Sequence, residues 1–582
     1  MQSKTPKFDT LLDEILGSLI PHRRTCVWKG KHAYCEEEFE LEVGDIEFLK
    51  FLRVPPPNFC PTCRRMRRMV HMGTIHLFKR ACDAPEHDEM IISIFSKECP
   101  FPVYDYKYFV SEEFDALAFG KNYNVAESPM EQLWGMRKTF PMPSFLNRDL
   151  LSVNSEYTNG GRDLKNGYYT SGCFHSEDIW YSNLVNKSKS IMDSRSINTS
   201  EYVYNSAYSR NLYKCSFTYF SKECSDSIFL YDCRNCTDCF GCVNLRNKKY
   251  HVFNKELAKE EYATFMKNVY PLTREKLNAY AEEFWTLVHR LPMNASQNTQ
   301  TENSTGILLS RSKNVYDAIH SENSENVRHI DGALSHKDSM DFLFSGGHSN
   351  NLYMTTNIGS ESSKVKFSIS SKFCLESEFI FNSKSLTNCF MCFGLENKSF
   401  CILNQQYTQE EYWPLVDIIK TEMLKRGEYA DGPGMEFSAQ AYNFSLANIA
   451  FPLSEEIILS LGGYVGKEQE SNTDGIEIID SENIPENIDE VSDKITTKAL
   501  RCTLSGKPFK VIQTELDFYR RMKLPLPNIH PTIRTDKMYH IGAVGKKYNT
   551  TCNKCNTDIL SIFDPKENYN FYCENCYQQE II

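Results

Sequence analysis

The sequence predicts a multidomain, mainly β protein. Two tandem β-solenoid-like repeat units with helical caps are flanked by zinc-ribbon modules at both ends. Three observations predict this. The middle of the 582-residue chain is duplicated at an offset of about 150 residues, and its two ends are copies at an offset of 470. Within each central unit, short apolar bursts recur about every 12 residues. A chain this long exceeds what one core supports, so several domains are expected.

The N-terminal module spans 1–125 and a connector spans 126–150. FELEVGDIEFLKFLRVPPPNFCPTCRRMRRM (39–69) aligns without gaps on FKVIQTELDFYRRMKLPLPNIHPTIRTDKMY (509–539), and IISIF (91–95) parallels ILSIF (559–563). This blueprint carries two metal sites, and each copy keeps a different one. In the first copy the spacing His32-x2-Cys35 and Cys60-x2-Cys63 makes a four-ligand set, with Cys26 and His22 competing for one position. Cys82, Pro85, Asp105 and Tyr108 occupy the second site, which His87 or Cys99 could complete. Four soft protein ligands on tight turns suit tetrahedral zinc and leave no open position, so the expected ions, two in all, are structural. The basic run Arg64, Arg65, Arg67 and Arg68 follows the knuckle directly. It suits phosphate contacts of a nucleic acid, or else pairing with Glu36–Glu38, Glu47 or a neighbouring domain.

The first repeat unit (151–255) and the second (303–405) align between YDCRNCTDCFGCVNLRNKKY (231–250) and FNSKSLTNCFMCFGLENKSF (381–400). Ile179, Ile191, Val203, Cys215, Ile228, Phe240 and Val252 mark brief strands separated by Asn, Asp and Ser turns. A coil of 12 residues would enclose little beyond its own side chains, so coils of about 24 residues are expected, with an antiparallel meander as the alternative. Cys233, Cys236, Cys239 and Cys242 resemble an iron–sulfur or zinc run. The second copy has Ser383 and Leu386 where two of these cysteines stand, which favours a buried, unligated ladder.

Helical caps follow each unit, at 256–295 (two amphipathic stretches divided by Pro271) and 406–465 (a helix from Thr408 to about Arg426). A partner-binding helix pair is the other reading. GKEQESNTDGIEIIDSENIPENIDEVSDK lies in a segment (466–495) expected to be a solvated acidic linker. The C-terminal module (496–582) keeps Cys552-x2-Cys555 and Cys573-x2-Cys576. Its other site has Cys502, Ser505, His530 and Ile533.

VPPPNFCPTCRRMRR, LFKRACD, NSEYTNG, CRNCTDCFGCVNLRNKKY and FYCENCYQQE together resemble a family of uncharacterised, duplicated zinc-ribbon and β-repeat proteins of candidate-phyla-radiation bacteria, with relatives in large DNA viruses. The resemblance covers nearly the whole chain and implies zinc. Cysteines usual in that family are replaced here by Ser505, His530, Ile533, Asp105 and Tyr108.

The net charge of -11 argues against a wholly basic nucleic-acid coat, and 22 cysteines without a signal peptide suggest reduced thiols in a cytoplasmic setting. No apolar run approaches a membrane span. No G-x-S-x-G, phosphate-cradling loop or H-E-x-x-H motif is present, so an enzyme is not expected. The expected role is a zinc-binding structural or assembly protein, virion-associated among other settings, that works through protein partners or self-assembly. One alternative is a nucleic-acid-associated factor acting through the arginines. The other is a carbohydrate-active solenoid using Asp193, Asp232 and Asp338.

Overall fold

The computed structural model describes residues 3–146, 151–469, 473–542 and 544–581. The last four residues of the expected connector (147–150) and positions 470–472 of the expected linker lie outside these. The protein is mixed α/β and largely strands. Its centre is two closed, barrel-like parallel sheets, and cysteine clusters lie at both ends.

Parallel strand partners in both central sheets lie 11 to 13 residues apart, most of them 12. Ile179 pairs with Ile191, Ile191 with Val203, and Val203 with Cys215. In the second unit Val315 pairs with Val327 and Val327 with Ser339. Apart from a short closing hairpin at the end of each sheet (251–256 and 401–406), the pairings are parallel, so the antiparallel meander is excluded. The expected 24-residue coil is also corrected, because one turn takes 12 residues. The physical reason is that such a turn need enclose nothing but its own side chains. From Ser176 to Cys242 every third residue points inward and is buried, giving four inward residues per turn, mostly Ser, Ile, Val and Cys. A corner separates each from the next: Asp178, Tyr181, Leu184 and Lys187 all have φ between 48° and 58°. Asn and Asp, which tolerate this left-handed conformation best, recur at these corners.

Inward serines satisfy the narrow interior. Ser188 Oγ donates to the Asn186 carbonyl at 2.8 Å and accepts the Ser200 N–H at 3.1 Å, so one hydroxyl stitches two turns. The cysteine run takes over this role. Cys236 Sγ donates to the Arg234 carbonyl at 3.4 Å, and Cys233, Cys239 and Cys242 each donate to the carbonyl two residues earlier. Cys239 stacks on His251 and on the column through Ser227. Ile228, Phe240 and Val252 form the next column, one residue along and facing outward. The sequence frame that joined Ile228 to Cys215 therefore slips by one residue.

That outward column meets a helix. Helices Lys259–Val269 and Arg274–Arg290 fall either side of Pro271, and Tyr280 of the second packs on Phe240 at 4.9 Å. The counterpart Gln409–Lys425 is capped by Thr408 and Glu411 and buries Val416, Ile419 and Met423. Its Asp417 accepts the N–H of Phe8 at 2.8 Å, at the start of helix Pro6–Gly17. From Ile478 on, the acidic segment is no solvated linker, whereas 467–469 are exposed. Ile484, Ile488 and Val491 are buried in the core of the first unit, and Ile478–Asp480 pairs with Ala499–Arg501. Its charged residues face outward while the Ile and Val between them supply an apolar side.

The terminal copies share one plan of hairpin, helix, knuckle helix and second hairpin. His22–Thr25/Glu38–Leu41, Val43–Leu52, Pro61–Met69 and Phe78–Ala81/Met90–Ser93 make the first copy. Ala499–Arg501/Pro508–Phe509, Gln513–Met522, Pro531–His540 and Tyr548–Thr551/Asp558–Ser561 make the second.

Candidate metal centres

Among the described residues, three groups bring metal-ligating atoms within 4.8 Å of one another: Cys26/Cys35/Cys60/Cys63, Cys552/Cys555/Cys573/Cys576 and Cys82/His87/Glu89. The cysteines Cys233–Cys242 are not among them.

The first group corrects the expected ligand set, because Cys26 stands where His32 was expected. Cys26 ends the strand His22–Thr25, and its Sγ accepts the Cys60 N–H at 3.3 Å. In the C-terminal copy Cys502 follows strand Ala499–Arg501, and its Sγ accepts the His530 N–H at 3.2 Å. Cys26 is thus the structural counterpart of Cys502. The loop from this position to Cys35 is six residues longer than the loop from Cys502 to Ser505, so a gapless offset selects His32 instead. His32 is buried beside the group, its Nε2 3.4 Å from Cys63 Sγ. Cys60 caps helix Pro61–Met69 and its Sγ accepts the Cys63 N–H, so two ligands ride on one helix start. Hydrogen bonds from Cys60 and Cys63 hold the Cys26 thiol down to about 2, and Cys26 with Cys60 pushes Cys63 far up. Four crowded sulfurs cannot all ionise without a cation, and a divalent ion would supply that charge.

The second group is the expected one. Cys555 and Cys573 approach to 3.8 Å, and the Cys576 N–H reaches Cys573 Sγ at 3.4 Å. Thr557 hydrogen-bonds Cys555 and lowers its thiol to about 6. Both tetrads fit a thiolate-preferring ion such as zinc, with all four positions protein-filled. The third group sits where Cys552 has its counterpart in the N-terminal copy. His87 joins Cys82 there, as anticipated, and Glu89 completes the group in place of Cys99. Asp105 caps helix Tyr106–Phe109, while Tyr108 stacks on His87 at 4.5 Å.

The arginine run is not a phosphate-facing surface. Arg64, Arg65 and Arg68 are 2%, 5% and 5% exposed. Arg64 and Arg68 pair with Asp341 at 2.9 Å, and Arg65 with Asp331 at 2.8 Å. Arg67 donates to the Gly432 carbonyl at 2.7 Å and lies over Phe59. The pairing reading therefore holds, but the partners are second-unit aspartates and not Glu36–Glu38 or Glu47. Two of the three carboxylates expected to line a sugar cleft are likewise buried anchors. Asp193 pairs with Arg534 at 3.1 Å, and Asp232 pairs with Arg234 at 2.6 Å and accepts from Tyr577. Asp338 accepts from Asn326 on the adjacent turn at 2.6 Å.

Sequence reasoning missed Asp45 and Glu515, which occupy equivalent helix positions. Asp45 meets His329 at 3.0 Å, and Glu515 accepts from Tyr181 at 3.3 Å. Reading the 470-residue and 148-residue offsets together would have matched these pairs. Among the described residues no helix is long and apolar enough to cross a membrane. Comparison of the chain with protein-family models and with curated proteins finds no match.

Proposed function

We propose that the protein is a non-enzymatic, zinc-binding scaffold whose two metal modules fasten two narrow β-solenoids into one body. One observation carries this reading: each module is ion-paired to the distant unit and strand-paired to the lead-in of the other, in crossed order. The N-terminal module places Arg64 on Asp341 of the second unit, while its strand Val103–Tyr104 pairs with Met142–Pro143 at the lead-in to the first. The C-terminal module places Arg534 on Asp193 of the first unit, while Phe571–Tyr572 pairs with Met293–Asn294 at the lead-in to the second. Zinc held by Cys26, Cys35, Cys60 and Cys63, and by Cys552, Cys555, Cys573 and Cys576, would cross-link the loops of each module. The residues around the ions do the holding. An assembly component, in a virion among other settings, is the role such a body would fill.

Metal analysis of the purified chain, followed by chelation and limited proteolysis, tests the reading. Two zinc ions per chain are expected, and chelation should expose both terminal modules to protease while the central sheets resist. Absence of zinc, or chelation that leaves the cleavage pattern unchanged, would sink it.

A further inference from the structure

A cavity of about 680 Å³ lies between the two repeat units, and its charge departs from the pattern elsewhere on the molecule. Outside it, neighbouring turns alternate charge. Lys165 and Lys189 flank Glu177 at 2.8 and 3.3 Å, Lys337 meets Glu325 at 3.1 Å, and Lys364 meets Glu376 at 2.8 Å. Such opposite pairs stabilise adjacent strands, and like charges facing each other destabilise them. Inside the cavity one position on five successive turns reads Asn186, Asn198, Arg210, Lys222 and Arg234. Three cations stacked at the strand spacing span about 10 Å.

The second unit does not balance this ladder. Its facing column is Ser310, Glu322 and Leu334, and Glu322 is engaged by Arg311 and, at 3.8 Å, by Arg210. Arg234 is held by Asp232, whereas Lys222 makes no ion pair among the described residues. Burial, then Arg234 and Arg210, lower the Lys222 ammonium to about 8, against the smaller pull of Asp232 and Glu322. Arg195 is 97% buried on the same wall, with its Nε unpartnered. Aromatic faces complete the lining: Tyr208 stacks on Phe220 at 5.2 Å, and Phe344 faces in from the second unit. A cavity of this size, with apolar walls and a few convergent polar groups, has the dimensions of a ligand site.

We infer that this cleft binds a phosphate ester bearing an aromatic base, with the Arg210–Lys222–Arg234 ladder on the phosphates and the aromatic wall beside the base. A free nucleotide and a single strand of nucleic acid share this chemistry. The inference departs from the sequence expectation in both respects, because a small-molecule ligand was not anticipated there and the arginines read as a nucleic-acid site are buried elsewhere.

The test uses the full, metal-replete chain, with a short labelled single-stranded oligonucleotide followed by anisotropy and ATP followed by calorimetry, both at low salt. At least one probe should bind, with affinity falling as salt rises. Lys222→Glu should weaken binding about tenfold or more, the usual cost of losing a charged hydrogen-bond donor. Lys165→Glu, on an outer face, should leave binding unchanged. If Lys222→Glu lowers the melting temperature, Lys222→Met removes the charge and keeps the aliphatic stem. Binding of the oligonucleotide alone assigns the ligand to a nucleic-acid strand, and binding of ATP assigns it to a free nucleotide. Failure of both probes, or wild-type affinity in folded Lys222→Glu or Lys222→Met, overturns the inference.

Discussion

Arg534 meets Asp193 at 3.1 Å as Arg64 meets Asp341 at 2.9 Å: two arginines 470 residues apart bind two aspartates 148 residues apart. The duplicated ends thus dock on the duplicated middle through one shared ion pair, used twice. The two versions differ in charge balance. Arg64 works with Arg65 and Arg68 against Asp341 and Asp331, whereas Arg534 alone serves Asp193 and, at 3.5 Å, Glu515.

The N-terminal pair is fully buried, so breaking it strands a charge. Asp341→Leu, which takes the shared carboxylate from Arg64 and Arg68, is expected to destabilise the N-terminal docking by about 3–5 kcal/mol, and Arg64→Met combined with Asp341→Leu should recover only part of that, because Arg68 stays without its partner. Thermal unfolding of the single and double variants checks this. A single variant as stable as wild type would contradict it.

One guanidinium between two carboxylates sets a pH dependence. Burial, with the nearby Asp193, pushes the Glu515 carboxyl up to about 7 from its ordinary 4.5, against the pull of Arg534. The folded state therefore holds a proton that the unfolded chain releases. This group's contribution is fully present below about pH 4.5 and is lost as pH rises through about 7. Glu515→Gln should flatten that part of the stability curve. At the equivalent Asp45, burial acts upward, but His329 and Arg328 overcome it and hold the carboxyl well below its usual range, so Asp45→Asn should not flatten the same window.

The ligand exchange at the first centre is directly measurable. Cys26→Ser should drop zinc from two ions per chain to one, and His32→Ala should leave two. Structural zinc contributes about 10–16 kcal/mol of apparent binding, so the Cys26 variant should also lose protection of its hairpin from protease. Metal counts in the reverse order would restore the His32 assignment.

Cys236 takes an inward place that Ser176, Ser188 and Ser200 fill on earlier turns. Cys236→Ser should change stability by no more than about 1 kcal/mol and leave the zinc count untouched, since a hydroxyl makes the same bond to the carbonyl. Cys236→Phe should overpack the turn and cost about 1–3 kcal/mol. Equal damage from both would show that the sulfur itself matters.

Much of this architecture was legible because duplication is visible as an offset and needs no packing information. The helices around Pro271, the Thr408 cap and the C-terminal tetrad all follow from local pattern. Coil size did not, because twelve residues look too few until one sees that four inward side chains per turn, mostly Ser, Ile, Val and Cys, fill the interior. The Cys26 ligand was hidden by a loop insertion that leaves a plausible H-x2-C spacing in its place. The arginines were misread for a different reason: charge reads as surface unless its partner is known, and Asp341 lies 277 residues from Arg64.

That separation has a consequence for how the protein is made. The ribosome delivers the N-terminal knuckle long before the aspartate it must hold, and delivers Asp193 long before Arg534. During synthesis each half of the molecule therefore carries an unmet buried charge. The C-terminal module neutralises the first unit, so the crossed clasp closes only after Arg534 has been made. A chain stopped before Arg534 would keep Asp193 uncovered, a ready mark by which quality control could tell a nascent or truncated copy from a finished one.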